Sequence, residues 1–288
     1  MDADALLASE LHRRGVAEVG ELSDDEIVEI GLRYAIWLPL RTFIQTPWLA
    51  PFAVRRIRIR TDVNAPGPPR DLWGFPDSLG YFTDDNSLIK GVVRGRRVDG
   101  AASPYGQEKL STGLVCCHVW PSTTSDPLLF SFVPNLVWLP RSLAGFSDAH
   151  FRVRDPHPLH FALRALSVER FRTDAGRSER VATAWRRLPS QAGHDSSSYG
   201  SDPAELSSAD AISSAVTRRT TRVVHFLNEL DGGRLPTRRV SRRYHAGVGA
   251  RIDHDLPAVQ SFVPLEALRS LRDELNAAVL LGAESRPT

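Results

Sequence analysis

Residues 114–150 read LVCCHVWPSTTSDPLLFSFVPNLVWLPRSLAGFSDAH, and the fold turns on how this stretch is parsed. Leu114–Cys117 is a short apolar run of strand type that ends in a polar residue, His118. A segment punctuated by Pro, Ser, Thr and Asp follows, and Asn135 then opens a second apolar run. The spacing predicts a helix from Asn135 that tolerates Pro140 in its first turns. Asp148 would lie between three and four helical turns further on, and His150 just beyond it.

The residue types fit phosphodiester hydrolysis. That reaction needs a base to activate water, a cation to stabilise charge on the phosphate and the leaving oxygen, and a rigid frame for both. His118 is the candidate base, polarised if its second ring nitrogen donates to a backbone carbonyl. Asn135 is the candidate frame residue, because one amide both donates and accepts. Asp148, with His150, would hold one divalent ion, Mg²⁺ or Mn²⁺.

Three segments carry a family resemblance: Cys117-His118-Val119-Trp120-Pro121, Asn135-Leu136-Val137-Trp138-Leu139 and Phe146-Ser147-Asp148. In order and spacing they resemble the HNH, or ββα-metal, endonucleases. The resemblance implies an α+β fold with a ββα-metal core, His118 as general base, Asn135 as the structural asparagine and Asp148 as the distal metal ligand. It also implies a DNA-directed endonuclease of restriction or phage-defence type, acting on double-stranded DNA. Cys117 and Ala144 stand where many family members carry further ligands, and cysteine is a poor partner for Mg²⁺. Those departures favour a second expectation, a non-catalytic nucleic-acid- or partner-binding protein that keeps a degenerate HNH frame.

Working outward, Gly80–Gly91 (GYFTDDNSLIKG) packs Asp84, Asp85, Asn86 and Lys90 into seven residues. These are candidate supporting groups: carboxylates for a metal, Lys90 for a phosphate. The plainer reading is an Asx-type turn before a short strand. Pro76-Asp77 with Gln107-Glu108-Lys109 echoes another nuclease arrangement, PD-(D/E)xK, but the carboxylate sits directly beside the lysine. His157 and His160 flank Pro158, where helix capping is the favoured role. No nucleophile elbow, GxxxxGK(S/T) loop or GxGxxG loop is present.

Upstream, Ala3–Arg14 reads as a helix stopped by Gly15. Ser23-Asp24-Asp25-Glu26 reads as a capping box for a second helix that Pro39 ends. The pair reads as a packing unit in preference to a DNA-reading helix-turn-helix. Arg55–Arg60 (RRIRIR) alternates as a strand with one basic face, carrying Arg56, Arg58 and Arg60 in its run. Gly91–Arg97 and Leu128–Val133 read as strands.

Downstream, residues 191–208, rich in Ser, Gly and Asp, read as a mobile loop. Asp210–Leu230 reads as an amphipathic helix with Val216, Val223, Phe226 and Leu230 inward. A basic turn with Arg238, Arg239, Arg242 and Arg243 follows, then a helix over Leu265–Leu281. Three regions result: a helical 1–70, an HNH-like core at 71–166 and an Arg-rich helical 167–288.

Composition sets outer limits. The net charge of +2 gives no bulk polyanion signal, yet only Lys90 and Lys109 among the 36 Lys+Arg are lysines. Arginine suits phosphate through its planar fork, although genomic base composition is the simpler source of the bias. The adjacent Cys116 and Cys117 exclude a disulfide framework and a four-cysteine zinc site. No apolar run reaches the ~20 residues of a membrane helix, and the acidic start MDADALL is unlike a signal peptide. A cytoplasmic protein without a membrane partner is expected. Homo-oligomerisation is left open.

Overall fold

The computed structural model of the protein describes residues 1–54, 81–83, 89, 91–100, 103–106, 108–120, 123–147, 157–172, 178–189, 203–233 and 265–284. The architecture is α+β. Two helices open the chain, α1 (Ala3–Arg13) and α2 (Asp24–Tyr34). Asp2 caps α1 by accepting from the amides of Asp4 and Ala5. Ser23 and Glu26 form the capping box of α2 reciprocally, so the local signal and the observed start agree.

Helix α2 ends at Tyr34, short of Pro39, because β1 (Ile36–Trp37) begins there. Ile36, Trp37 and Leu38 are wholly buried, and burial in a sheet overrides their continuation of a helical pattern. A short α3 (Leu40–Gln45) follows, then β2 (Ala53–Val54), β3 (Phe82–Thr83), β4 (Val98–Asp99) and β5 (Leu114–His118). Next come β6 (Leu136–Pro140), a single-turn α4 (Arg141–Ala144), α5 (Pro158–Phe171) and α6 (Glu179–Arg187). The remaining elements are β7 (Ala204–Leu206), α7 (Ala209–Asp231) and α8 (Leu265–Glu284).

The main sheet has five strands in the order β4-β7-β1-β6-β5, while β2 and β3 form a separate parallel pair. Strands β5 and β6 run antiparallel, with Cys116 opposite Trp138 and His118 opposite Leu136. Strand β1 pairs antiparallel with β6 and parallel with β7. Strand β4 closes one edge, antiparallel to β7.

Several expectations are corrected. Leu136–Pro140 is a strand, not the start of a helix. All five residues are buried, and an apolar run that short, buried on both faces, carries no periodicity to separate helix from strand. The helix that follows, α4, has only four residues, so no helix carries Asn135 on toward Asp148. Residues 91–97 and 128–131 are turns and irregular chain and not strands, and Phe132 makes only an isolated bridge to Trp48. Within 191–208, the mobile-loop reading fails at β7, which lies inside the sheet between β4 and β1. Residues 190–202 lie outside the described residues, as does Arg55–Arg60.

The three sequence regions share this sheet: β1 comes from the first, β4, β5 and β6 from the second and β7 from the third. One contiguous core joins Leu7 and Ile30 to Trp138 and Leu163, and these to Val223 and Leu271. The N-terminal helices pack on that core, with α2 against α5. Gly31 sits at that contact: a Cβ there would lie 2.5 Å from Leu159 Cδ1, so the leucine side chain would have to shift.

Candidate functional site

His118 closes strand β5, and Asn135 immediately precedes β6, its antiparallel partner. The pairing therefore brings together the two residues that the sequence singles out. Between them the chain leaves the sheet and returns, and polar side chains hold this excursion in place.

The Nε2–H of His118 donates to the Phe130 carbonyl at 2.9 Å, and the ring stacks on Phe130 with centroids 5.8 Å apart. Since a carbonyl only accepts, Nε2 carries the proton of this bond. One condition for an oriented imidazole is met: a backbone carbonyl sets its tautomer. The other is access, and His118 is 0% exposed.

Asn135 is also 0% exposed. Its Oδ1 accepts from the Trp120 amide at 2.8 Å, and its Nδ2 donates to Thr123 Oγ1 at 2.7 Å and to the Leu129 carbonyl at 2.8 Å. Its main chain accepts from Val119 N–H at 3.0 Å and donates to Phe132 O at 2.8 Å. One residue thus ties both limbs of the excursion, and both amide protons of its side chain are used. The Thr123 hydroxyl, which accepts from one of them, donates in turn to the Trp120 carbonyl.

Outer elements cover this polar centre. The chain at 47–50 docks on it: Val133 N–H donates to Pro47 O at 2.8 Å, Leu49 N–H to Ser131 O at 3.0 Å and Ala50 N–H to Ser131 Oγ at 3.1 Å. Trp48 donates from its indole to Leu128 O at 2.7 Å, and the Arg180 guanidinium lies 4.6 Å over its ring. From α6, Trp185 packs edge-on to Trp120 and Phe132, while Arg187 pairs with Asp126 at 3.1 Å. From α5, Arg164 donates to Val119 O at 3.2 Å and Ser167 to Pro134 O. Arg164 and Ser167 are the contributors the sequence reading missed. Their three-residue spacing on one helix face is the signal they left.

The metal-binding part of the expectation falls outside the described residues. Asp148, His150, Asp84, Asp85, Asn86 and Lys90 lie outside the described residues, as do Arg56, Arg58, Arg60, Arg238, Arg239, Arg242 and Arg243. Among the described residues no group of three or more His, Cys, Asp or Glu could hold a metal ion. Among the described residues, the Phe130 carbonyl bonds His118, and the Trp120 amide, the Thr123 hydroxyl and the Leu129 carbonyl bond the Asn135 side chain.

Many arginines are already engaged with acids. Arg14 and Arg33 pair with Glu10, Arg41 with Asp210, Arg170 with Glu205, and Arg269 and Arg272 with Asp231. Burial pushes the Arg170 guanidinium down to about 10. By contrast Arg94, Arg97, Arg218 and Arg222 are exposed, and no carboxylate among the described residues pairs with them.

No protein-family model matches the chain, and no curated protein or solved structure matches it either. Among the described residues, no helix is long and apolar enough to cross a membrane.

Proposed function

We propose that this is a non-catalytic nucleic-acid-binding protein whose His118–Asn135 hairpin is similar in plan to the HNH frame and serves as scaffold. The observation that carries this reading is the enclosure of His118, with Nε2–H bonded to Phe130 O and no exposed surface. A general base must come within hydrogen-bond reach of the water it activates, directly or through one water. The nucleic-acid part rests on exposed guanidinium groups, Arg218 and Arg222 of α7 among them, that meet no carboxylate among the described residues. Phosphate recognition is the interaction such groups favour.

Binding of a fluorescent DNA duplex across a salt series tests this reading. Affinity should fall steeply with salt, and each of Arg218→Ala and Arg222→Ala should lower the log–log slope by about 0.9. Salt-independent binding, or none, would refute it.

A second reading, the metal-dependent endonuclease, draws support from one observation. The antiparallel pair β5–β6 places an imidazole oriented by a backbone carbonyl beside an asparagine that ties the two strands. In that reading Asp148 and His150 would hold Mg²⁺ or Mn²⁺, and His118 would have to be uncovered before it could meet a water. A Mn²⁺-dependent rise in melting temperature that Asp148→Ala abolishes would favour it.

A further inference from the structure

Helix α5 begins at a corner where one imidazole contacts three parts of the fold. His157 precedes Pro158, which occupies the first helical position without needing an amide partner. The side chain of His157 caps the helix: Leu159 N–H donates to Nδ1 at 3.1 Å. Its Nε2 lies 3.3 Å from Asp24 Oδ1 in the first turn of α2, close in charge terms but not aligned as a hydrogen bond. Its ring also meets Phe146 edge-on, with centroids 5.0 Å apart. One turn into α5, His160 Nδ1–H donates to Ser147 O at 2.8 Å. Two histidines therefore hold the start of α5 to α2 and to the turn at 146–147.

The cap fixes the chemistry. A nitrogen that accepts from an amide carries no proton, so Nδ1 of His157 is bare and the ring's proton is on Nε2, facing Asp24. We infer that His157 is an acid-released cap: protonation at Nδ1 removes the acceptor on which the first turn of α5 depends. A proton at that position also sets a positive charge against the positive end of the helix dipole. Asp24 opposes the release, since a cationic ring would pair with it. Asp24 is exposed, with 71% of its side chain accessible, and such pairs contribute little. Among the described residues, the first turn of α2 brings Asp25 and Glu26 beside Asp24, α5 itself carries His160 and Arg164, and the 146–147 turn presents an aromatic edge and a carbonyl. Burial holds His160 below the ordinary imidazole range, which favours the neutral ring that donates to Ser147 O. When His157 takes up its proton, the first turn of α5 loosens while the remainder of the helix, bound through Arg164 and Ser167, stays in place.

Amide hydrogen exchange on the full chain tests this inference independently of any nucleic-acid binding. Protection of the Leu159 amide, corrected for intrinsic exchange and referred to amides of β5 and β6, should fall about fivefold between pH 7.5 and pH 5.5, the equivalent of losing one cap. His157→Asn keeps a capping oxygen that does not titrate, and should keep protection constant over the same range. Equal losses in both proteins, or no loss in the wild type, would overturn the inference. Nitrogen chemical shifts of the wild-type imidazole supply a check that needs no variant. The neutral ring should carry its proton on Nε2, and a proton on Nδ1 would contradict the cap.

Discussion

Asn135 shows how much one side chain decides here. Replacing it with Ala would leave the Trp120 amide without its partner, the Thr123 hydroxyl without a donor, and the Leu129 carbonyl with only the longer bond from Phe132 N–H at 3.4 Å, all inside the core. Unsatisfied buried groups cost about 1–3 kcal/mol each, partly relieved by relaxation. Asn135→Ala should therefore lose about 2–4 kcal/mol in a urea titration, among the larger effects of a single substitution. His160 supplies a pH dependence. Burial lowers its folded pKa, so between the unfolded imidazole value, near 6.5, and the lower folded value the unfolded chain binds more protons. Its contribution is full above that window and is lost as pH falls through it. His160→Asn, whose amide can still donate to Ser147 O, should flatten the part of the melting-temperature profile due to this group. The sequence singled out His118 and Asn135 as polar residues at the ends of apolar runs, and the pairing of β5 with β6 brings the two together. It did not reveal that both are enclosed, because a histidine ending an apolar strand reads the same as a base or as a core residue. Its partner is a backbone carbonyl, which leaves no trace in side-chain identity.

Local signals at the level of elements were legible where they were chemical. The capping box at Ser23, the glycine after α1, and the inward Val216, Val223 and Phe226 of α7 all lie where the pattern put them. They failed where burial on both faces erased periodicity, as in β6, or where an element was too short to have any, as in β7. A three-residue strand, Ala204-Glu205-Leu206, offers a single alternation within a polar stretch. Its hold on the sheet comes from β1, β4 and the Arg170–Glu205 pair, all distant in sequence. The α2–α5 contact makes a prediction at this scale. Gly31→Ala would drive a methyl group into Leu159, 2.5 Å from Cδ1, and overpacking of this kind costs about 1–3 kcal/mol. A thermal melt should register that loss. Leu159→Val should destabilise on its own, yet recover part of the loss when combined with Gly31→Ala, a coupling that a double-mutant cycle would measure.

For the whole molecule, one sheet draws strands from all three sequence regions, so folding joins the N-terminal helices, the β5–β6 hairpin and the Arg-rich C-terminal part into a single packed body. The hairpin expected to present an active site is instead near the middle of that body, beneath residues 47–50, α5 and α6. Removing His118 should therefore act first on stability: His118→Ala should be destabilised by a few kcal/mol in a urea titration. Its duplex affinity, measured where the variant remains folded, should stay near that of the wild type. Plasmid incubation with Mg²⁺ or Mn²⁺, wild type beside His118→Ala, tests the central claim most directly. The scaffold reading predicts salt-dependent binding by the wild type and no nicked or linear product from either protein. Cleavage by the wild type that His118→Ala abolishes, with the variant shown to be folded, would contradict it and make His118 the base of an endonuclease.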